Sequence, residues 1–197
     1  INNWVDTNTN GKIDKIIDSI SPSTVMFLIN AIYFNGTWAY EFDKNLTSDG
    51  TFFVTADSSA EIPFMNQANN FDYYINNDLQ MIDLPYGDGA YSMTVLVPSL
   101  DSSVDALIGS LDRTMWTDLL NNLEKSEGTL YLPKFKIKYE KLLNDVLSAM
   151  GMDVAFNPSQ ADFSNINKEG GLYISKVKHK SFVDVYEEGT EASAVTV

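Results

Sequence analysis

The sequence predicts an α+β fold, on three observations. Thr24 to Phe34 is a nearly unbroken apolar run rich in Val, Ile, Tyr and Phe, which reads as a strand buried on both faces. Leu79 to Pro85 and Tyr91 to Pro98 flank the glycine-rich turn Tyr86-Gly87-Asp88-Gly89, which makes them a hairpin. A block of helical spacing follows: Val104, Leu107, Ile108 and Leu111 share one face, and Trp116, Leu119, Leu120 and Leu123 share another,. Strands and helices that come in separate runs are the pattern of an α+β chain.

The elements can be justified in order. Asp6-Thr7-Asn8-Thr9-Asn10-Gly11 places oxygen-bearing side chains at alternate positions before a glycine, as at the opening of a calcium loop. The last position of such a loop needs a bidentate acid and holds Ile17, with Asp18 one residue late. A polar turn closing a helix is therefore preferred to a calcium-binding module. Ser21-Pro22-Ser23 breaks the chain before the long apolar strand. Asn30 lies in the middle of that strand; a buried amide must find partners, so it is either a satisfied core residue or part of a polar switch. Asn35-Gly36-Thr37-Trp38 follows, with Phe42 beyond it. Asn35-Gly36-Thr37 and Asn45-Leu46-Thr47 have the form of glycosylation sequons, in a chain rich enough in Asn to produce them by chance.

Phe52 to Pro98 reads as short strands and turns. Asp112 to Thr114 supplies the break and cap between the two helical stripes, which read as core packing. Leu130 to Lys138 reads as a strand alternating after Pro133. Leu142, Leu143, Val146, Leu147 and Met150 form a helical stripe that Gly151 ends. Leu172 to Val185 reads as a strand whose odd positions are mostly apolar, so His179, the only histidine, falls on that face. There it is a neutral core residue or a functional one. The lysines at 134, 136 and 138 and at 176, 178 and 180 read as a solvated outer sheet face rather than a basic binding patch.

Composition narrows the function classes. With 197 residues and 44% hydrophobic residues the chain can bury a core,. A net charge of −14 argues against general affinity for nucleic acid, anionic membrane or heparin, while favouring encounters with basic proteins. Absence of cysteine excludes disulfides, thiol catalysis and cysteine zinc sites. No apolar run approaches the roughly 20 residues of a membrane span. No Gly-x-Ser-x-Gly elbow, phosphate loop or zinc-spaced His-acid set is present, so nothing points to an enzyme and no cofactor is expected.

The last stretch, Val185 to Val197, organises the rest. Read with period two, Thr190, Ala192, Ala194 and Thr196 form a uniformly small face, and Glu191, Ser193 and Val195 alternate with them. Such a segment can enter a crowded sheet without collision. Gly189, free of the usual backbone restrictions, marks the pivot. Glu187-Glu188-Gly189-Thr190-Glu191-Ala192 and the small residues to Thr196 resemble the reactive-loop hinge of the serpins, departing from the family pattern only at Ser193 and Val195, which fall on the less demanding face. Non-inhibitory members tend to carry bulky, charged or proline residues there. Ile1-Asn2-x-Trp4-Val5 with Thr9-x-Gly11-Lys12-Ile13, Leu28 to Trp38, Leu84-Pro85-Tyr86, Met93 to Pro98, Leu132 to Gly151 and Ala161 to Ser164 are similar to serpin stretches too, and together span nearly all of the chain.

The resemblance implies the serpin fold: a large mixed sheet, two further sheets and surrounding helices. It implies a single domain over residues 1–197, with the hinge at 186–197. Ile1 and Val197 are then interior to a longer chain whose N-terminal helices, scissile bond and last strands lie outside the sequence. It implies an inhibitor acting as a suicide substrate for a serine, or a cysteine, protease, with a carrier or other binding role as the alternative. Asn30 and His179 match a polar cluster where the large sheet parts. Lys134 and Glu187 match a pair near the top of that sheet, beside the residue matching Trp38. The family also implies a monomer, secreted or placed at a bacterial surface or periplasm; the acidic, Asn-rich, cysteine-free character resembles a bacterial member more than a plasma one.

Overall fold

The computed structural model describes residues 1–22, 24, 26–55 and 58–197. It divides the chain into two units. One comprises Ile1–Asn35, Lys136–Asp184 and Glu191–Val197, and the other Gly36–Phe135 and Val185–Thr190.

The first unit begins with helix α1 (Asn2–Asn8). Its end is the polar turn expected there: the Gly11 N–H donates to the Asp6 carbonyl at 2.8 Å, with Asn10 left-handed at φ 51°. Thr9 is fully buried and works for both sides of the turn, since its hydroxyl donates to the Val5 carbonyl and accepts from the Ile13 N–H. Below α1 lies a four-stranded sheet in the order β1 (Asn30–Thr37), β9 (Gly189–Thr196), β8 (Lys178–Tyr186), β7 (Phe135–Leu142). Val5, Ile13, Ile16 and Val195 form the unit's buried core, with Ile29 and Ala31 against them. Removal of each such aliphatic chain from water contributes about 1.5–3 kcal/mol.

Several boundaries differ from the sequence reading. Strand β1 starts only at Asn30, and Val25 lies outside the described residues. The strand is not buried on both faces: Ala31 and Tyr33 are partly covered, but Asn30 and Ile32 are exposed. An apolar run without alternation does not reveal which face its own chain will cover. Strand β8 starts at Lys178 rather than Leu172, because the preceding backbone finds other partners. The Ile174 N–H donates to the Ala155 carbonyl, and the Val177 N–H to the Asn144 side chain. The expected helix near Gly151 is α4 (Asn144–Leu147), a wide π turn (Ser148–Met152) and α5 (Asp153–Phe156). Gly151 at φ 98° supplies the left-handed break,.

The second unit is built on β3 (Ser58–Ile75), an 18-residue strand that pairs antiparallel with β2 (Ser48–Thr55), β6 (Glu124–Pro133) and β4 (Leu79–Tyr86) along its length. Strands β4 and β5 (Tyr91–Pro98) form the predicted hairpin, in register from Leu79 opposite Pro98 to Tyr86 opposite Tyr91. Helix α2 (Val104–Ser110) is capped by Ser103 and α3 (Arg113–Asn121) by Asp112, whose carboxylate accepts from the Met115 N–H at 2.8 Å,. Leu79, Met81 and Leu119 are buried together, with Leu107, Trp116 and Leu123 against them. Val104, Ile108 and Leu120, read as core from their spacing, stay exposed. The stretch from Leu130 to Lys138 is two strands: β6 ends at Pro133, the Lys134 N–H donates to the Pro63 carbonyl, and β7 starts at Phe135 in a different sheet.

Candidate functional site

The hinge residues Gly189 to Thr196 are the strand β9, joined to β8 by the two-residue turn Glu187-Glu188 and placed between β1 and β8 in the sheet. A reciprocal backbone pair between Lys178 and Val197 closes the far end of this hairpin.

In the first unit the two faces of β9 meet different surroundings. Val195 is 1% exposed beneath Val5, Ile13 and Ile16, and Ser193 is buried with its hydroxyl unpartnered among the described residues. The face read as less demanding is therefore the more tightly enclosed one, because the turn and segment after α1 lie over it. Ala192, Ala194 and Thr196 are only half-buried. Glu191 shares the enclosed face. Its carboxylate meets the Lys12 ammonium at 2.6 Å and accepts from the Tyr33 hydroxyl at 2.6 Å and from Asn10 at 3.5 Å. Burial pushes the Glu191 pKa up, yet the bonds from Lys12 and Tyr33 hold it below the usual glutamate range,.

His179 and Asn30 are not brought together. Strand β9 stands between the strands that carry them, and the His179 Nδ1 lies 2.9 Å from the Thr196 hydroxyl instead. Asn30 is exposed at the start of β1.

Of the lysines read as a solvated face, Lys136, Lys138 and Lys176 are exposed, while Lys134, Lys178 and Lys180 are partly or fully covered. Lys178 is 9% exposed and bonded to Asp18 and Glu140, Lys180 also reaches Glu140, and Lys136 pairs with Asp184 at 2.7 Å. Cross-strand acids between β7 and β8 pair with Lys136, Lys178 and Lys180,.

In the second unit Trp38, Lys134 and Glu187 do come together. Glu187 is 3% exposed; its carboxylate takes the Lys134 ammonium at 2.7 Å on one oxygen and the Thr47 hydroxyl at 2.8 Å on the other. Burial raises the Glu187 pKa, but bonds from Lys134, a backbone N–H and Thr47 bring it below the usual range,. With one partner buried, the pair is not a weak surface ion pair,. Lys134 is itself 40% exposed, so after allowance for screening its removal costs roughly 1–3 kcal/mol. Trp38 stacks on Tyr86 at 4.5 Å between ring centroids, meets Phe42 edge-on, and donates its indole N–H to the Tyr186 carbonyl,. Backbone bonds from Trp38 and Phe42 hold Glu188 and Glu187, and Lys44 pairs with Glu188. Thr190 is buried and accepts from the Tyr86 hydroxyl at 2.7 Å. Gly189 is not at a positive φ. What it needs is room: a Cβ there would lie 2.1 Å from the Gly36 carbonyl oxygen.

Among the described residues there is no group of three or more His or acidic side chains that could hold a metal. The bonds from Trp38, Phe42, Tyr86 and Lys134 run to the backbone and side chains of the stretch from Tyr186 to Thr190. The family model for the serpins, serine protease inhibitors, matches residues 1–197. The chain belongs to the serpin family. It is 39% identical to mouse Serpin B11 over its whole length, covering 52% of that protein. It is 36% identical to intracellular coagulation inhibitor 2 of Tachypleus tridentatus, covering 48%. Among solved structures it resembles tengpin, a thermophilic serpin, in its latent state: TM-score 0.87, 38% identity, 99% of this chain and 54% of that one. The chain thus spans about half the length of the curated serpins it matches.

Sequence reasoning read Glu187 to Thr196 as a hinge but missed the residues that contact this stretch. Thr47 stood in a sequon, Tyr86 in a turn, Lys12 and Tyr33 in family stretches, and none was assigned to the hinge. Each is more than 100 residues from its partner, and no local pattern marks such a contact.

Proposed function

We propose that this serpin chain carries the working part of a protease inhibitor that acts as a suicide substrate. The observation that carries the reading is β9 itself: Gly189 to Thr196, the hinge, lie as a strand between β1 and β8. In this account a serine or cysteine protease attacks a bond C-terminal to the hinge and is held as an acyl-enzyme while the loop enters the sheet. Entry adds on the order of ten backbone hydrogen bonds, each worth about 1 kcal/mol net, and that gain drives the capture. Insertion competes with deacylation, so a hinge without bulky side chains, crossing Gly36 at Gly189, favours trapping. Asn30 and His179 are proposed as groups that part when β9 enters, and Trp38, Lys134 and Glu187 as the anchor that fixes where entry starts. The two units are proposed as parts of one serpin domain, in keeping with a family match unbroken from 1 to 197.

A relative named an inhibitor of coagulation supports the reading. That same relative is named intracellular, so family membership does not carry the expectation of a secreted protein. The test uses full-length protein with trypsin-, chymotrypsin-, elastase- and papain-like proteases on denaturing gels. An SDS-stable complex, with a cleaved form that melts much higher than the intact one, is expected. Cleavage without complex and without that rise would favour the carrier or binding reading.

A further inference from the structure

The enclosed face of β9 is matched to one small part of the fold. Glu191, Ser193 and Val195 share one face of the strand; Glu191 and Val195 contact the segment that runs from α1 to Ile17, and Ser193 is buried between them. Much of what holds that segment does not involve β9. Asn2 ties it down, its side chain donating to the Ile17 carbonyl and accepting from the N–H groups of Ile16 and Ile17. Thr9 fixes the turn through its buried hydroxyl. Lys12 is further held over the ring of the buried Phe182, 5.5 Å from its centroid,. Asn10 donates to the Tyr33 hydroxyl at 3.1 Å, aiming it at Glu191. The result is a set of donors with supports of their own, into which one carboxylate fits with both oxygens bonded and its side chain only 12% exposed.

We propose that Lys12 and Tyr33, oriented by Asn10, are a receiver for Glu191 that latches the hinge strand as it enters the sheet. The proposal rests on the insertion reading above. A contact shifts an equilibrium only by what it gains in one state over the other, and the carboxylate of a hinge outside the sheet would not reach these donors. The receiver therefore acts during entry: it does not set where entry begins but opposes withdrawal of the strand once Glu191, the third residue of β9, has passed between β1 and β8, while the rest of the strand follows. Lys12 and Tyr33 are positioning residues, and the chemistry stays with the protease.

The test compares Lys12→Met, Tyr33→Phe and Glu191→Gln with wild type in the full-length protein, both intact and loop-cleaved. The intact forms should melt with the wild type, whereas the rise in melting temperature on cleavage should shrink in each variant. The partition between trapped complex and released cleaved inhibitor should move toward release by about tenfold, the size of one charge-assisted hydrogen bond. Lys12→Arg should restore most of it, and Lys12→Met with Glu191→Gln should lose no more than either alone. Intact and cleaved forms destabilised equally, or an unchanged partition, would overturn the latch while leaving insertion standing. A wild type that forms no complex and gains nothing on cleavage would remove the insertion reading, and the latch with it.

Discussion

At Gly189 the residue type is legible from sequence but its reason is not. Glycine suggests an unusual backbone angle, whereas the structure shows ordinary φ and a carbonyl pressed close to where a Cβ would stand. Gly189→Ala should accordingly leave protease cleavage intact and impair trapping, seen as more cleaved inhibitor released per complex formed; wild-type stoichiometry would contradict the steric account. Glu187 makes a second prediction, set by charge. Its folded pKa is depressed, so its stabilising contribution is complete above the unfolded glutamate range and is lost as pH falls through the folded value. Unfolding midpoints of wild type should therefore fall more steeply on acidification than those of Glu187→Gln, which starts lower at neutral pH; parallel curves would contradict it. That Glu187 and Lys134 pair was implied by resemblance, but the burial that makes the pair matter comes from Thr47 and the Trp38–Phe42 backbone, distant in sequence.

Among the elements, β4 and β5 were readable almost to the residue, because strand and turn signals there are local and contiguous. The start of β8 was not, since Asn144 and Ala155 claim the backbone that its alternation assigns to a sheet. Strand β9 lies between these cases: its small face was clear, but which face is enclosed depends on the segment after α1. Two substitutions probe it. Thr190 is buried against Tyr86, so Thr190→Arg should convert inhibitor to substrate, with cleavage and no complex on a denaturing gel. Ser193 carries a buried hydroxyl without a partner, so Ser193→Ala should stabilise the inserted form by about 1 kcal/mol in denaturant unfolding; a loss of that size would mean the hydroxyl is satisfied after all.

For the whole molecule, family and fold class were legible because stretches resembling serpins run from Ile1 to Thr196, and the family match confirms that extent. The grouping of site residues was less so. Asn30 and His179 were expected together, and a strand between them gives His179 to Thr196. That separation is the account's central claim in physical form, for it ties the state of the polar groups to the position of the hinge. The most direct measurement is amide hydrogen exchange at 190–196 in full-length protein before and after loop cleavage. The account predicts fast exchange in the intact protein and strong protection after cleavage, as these amides gain partners on β1 and β8. Equal protection in both forms, or none in either, would contradict it.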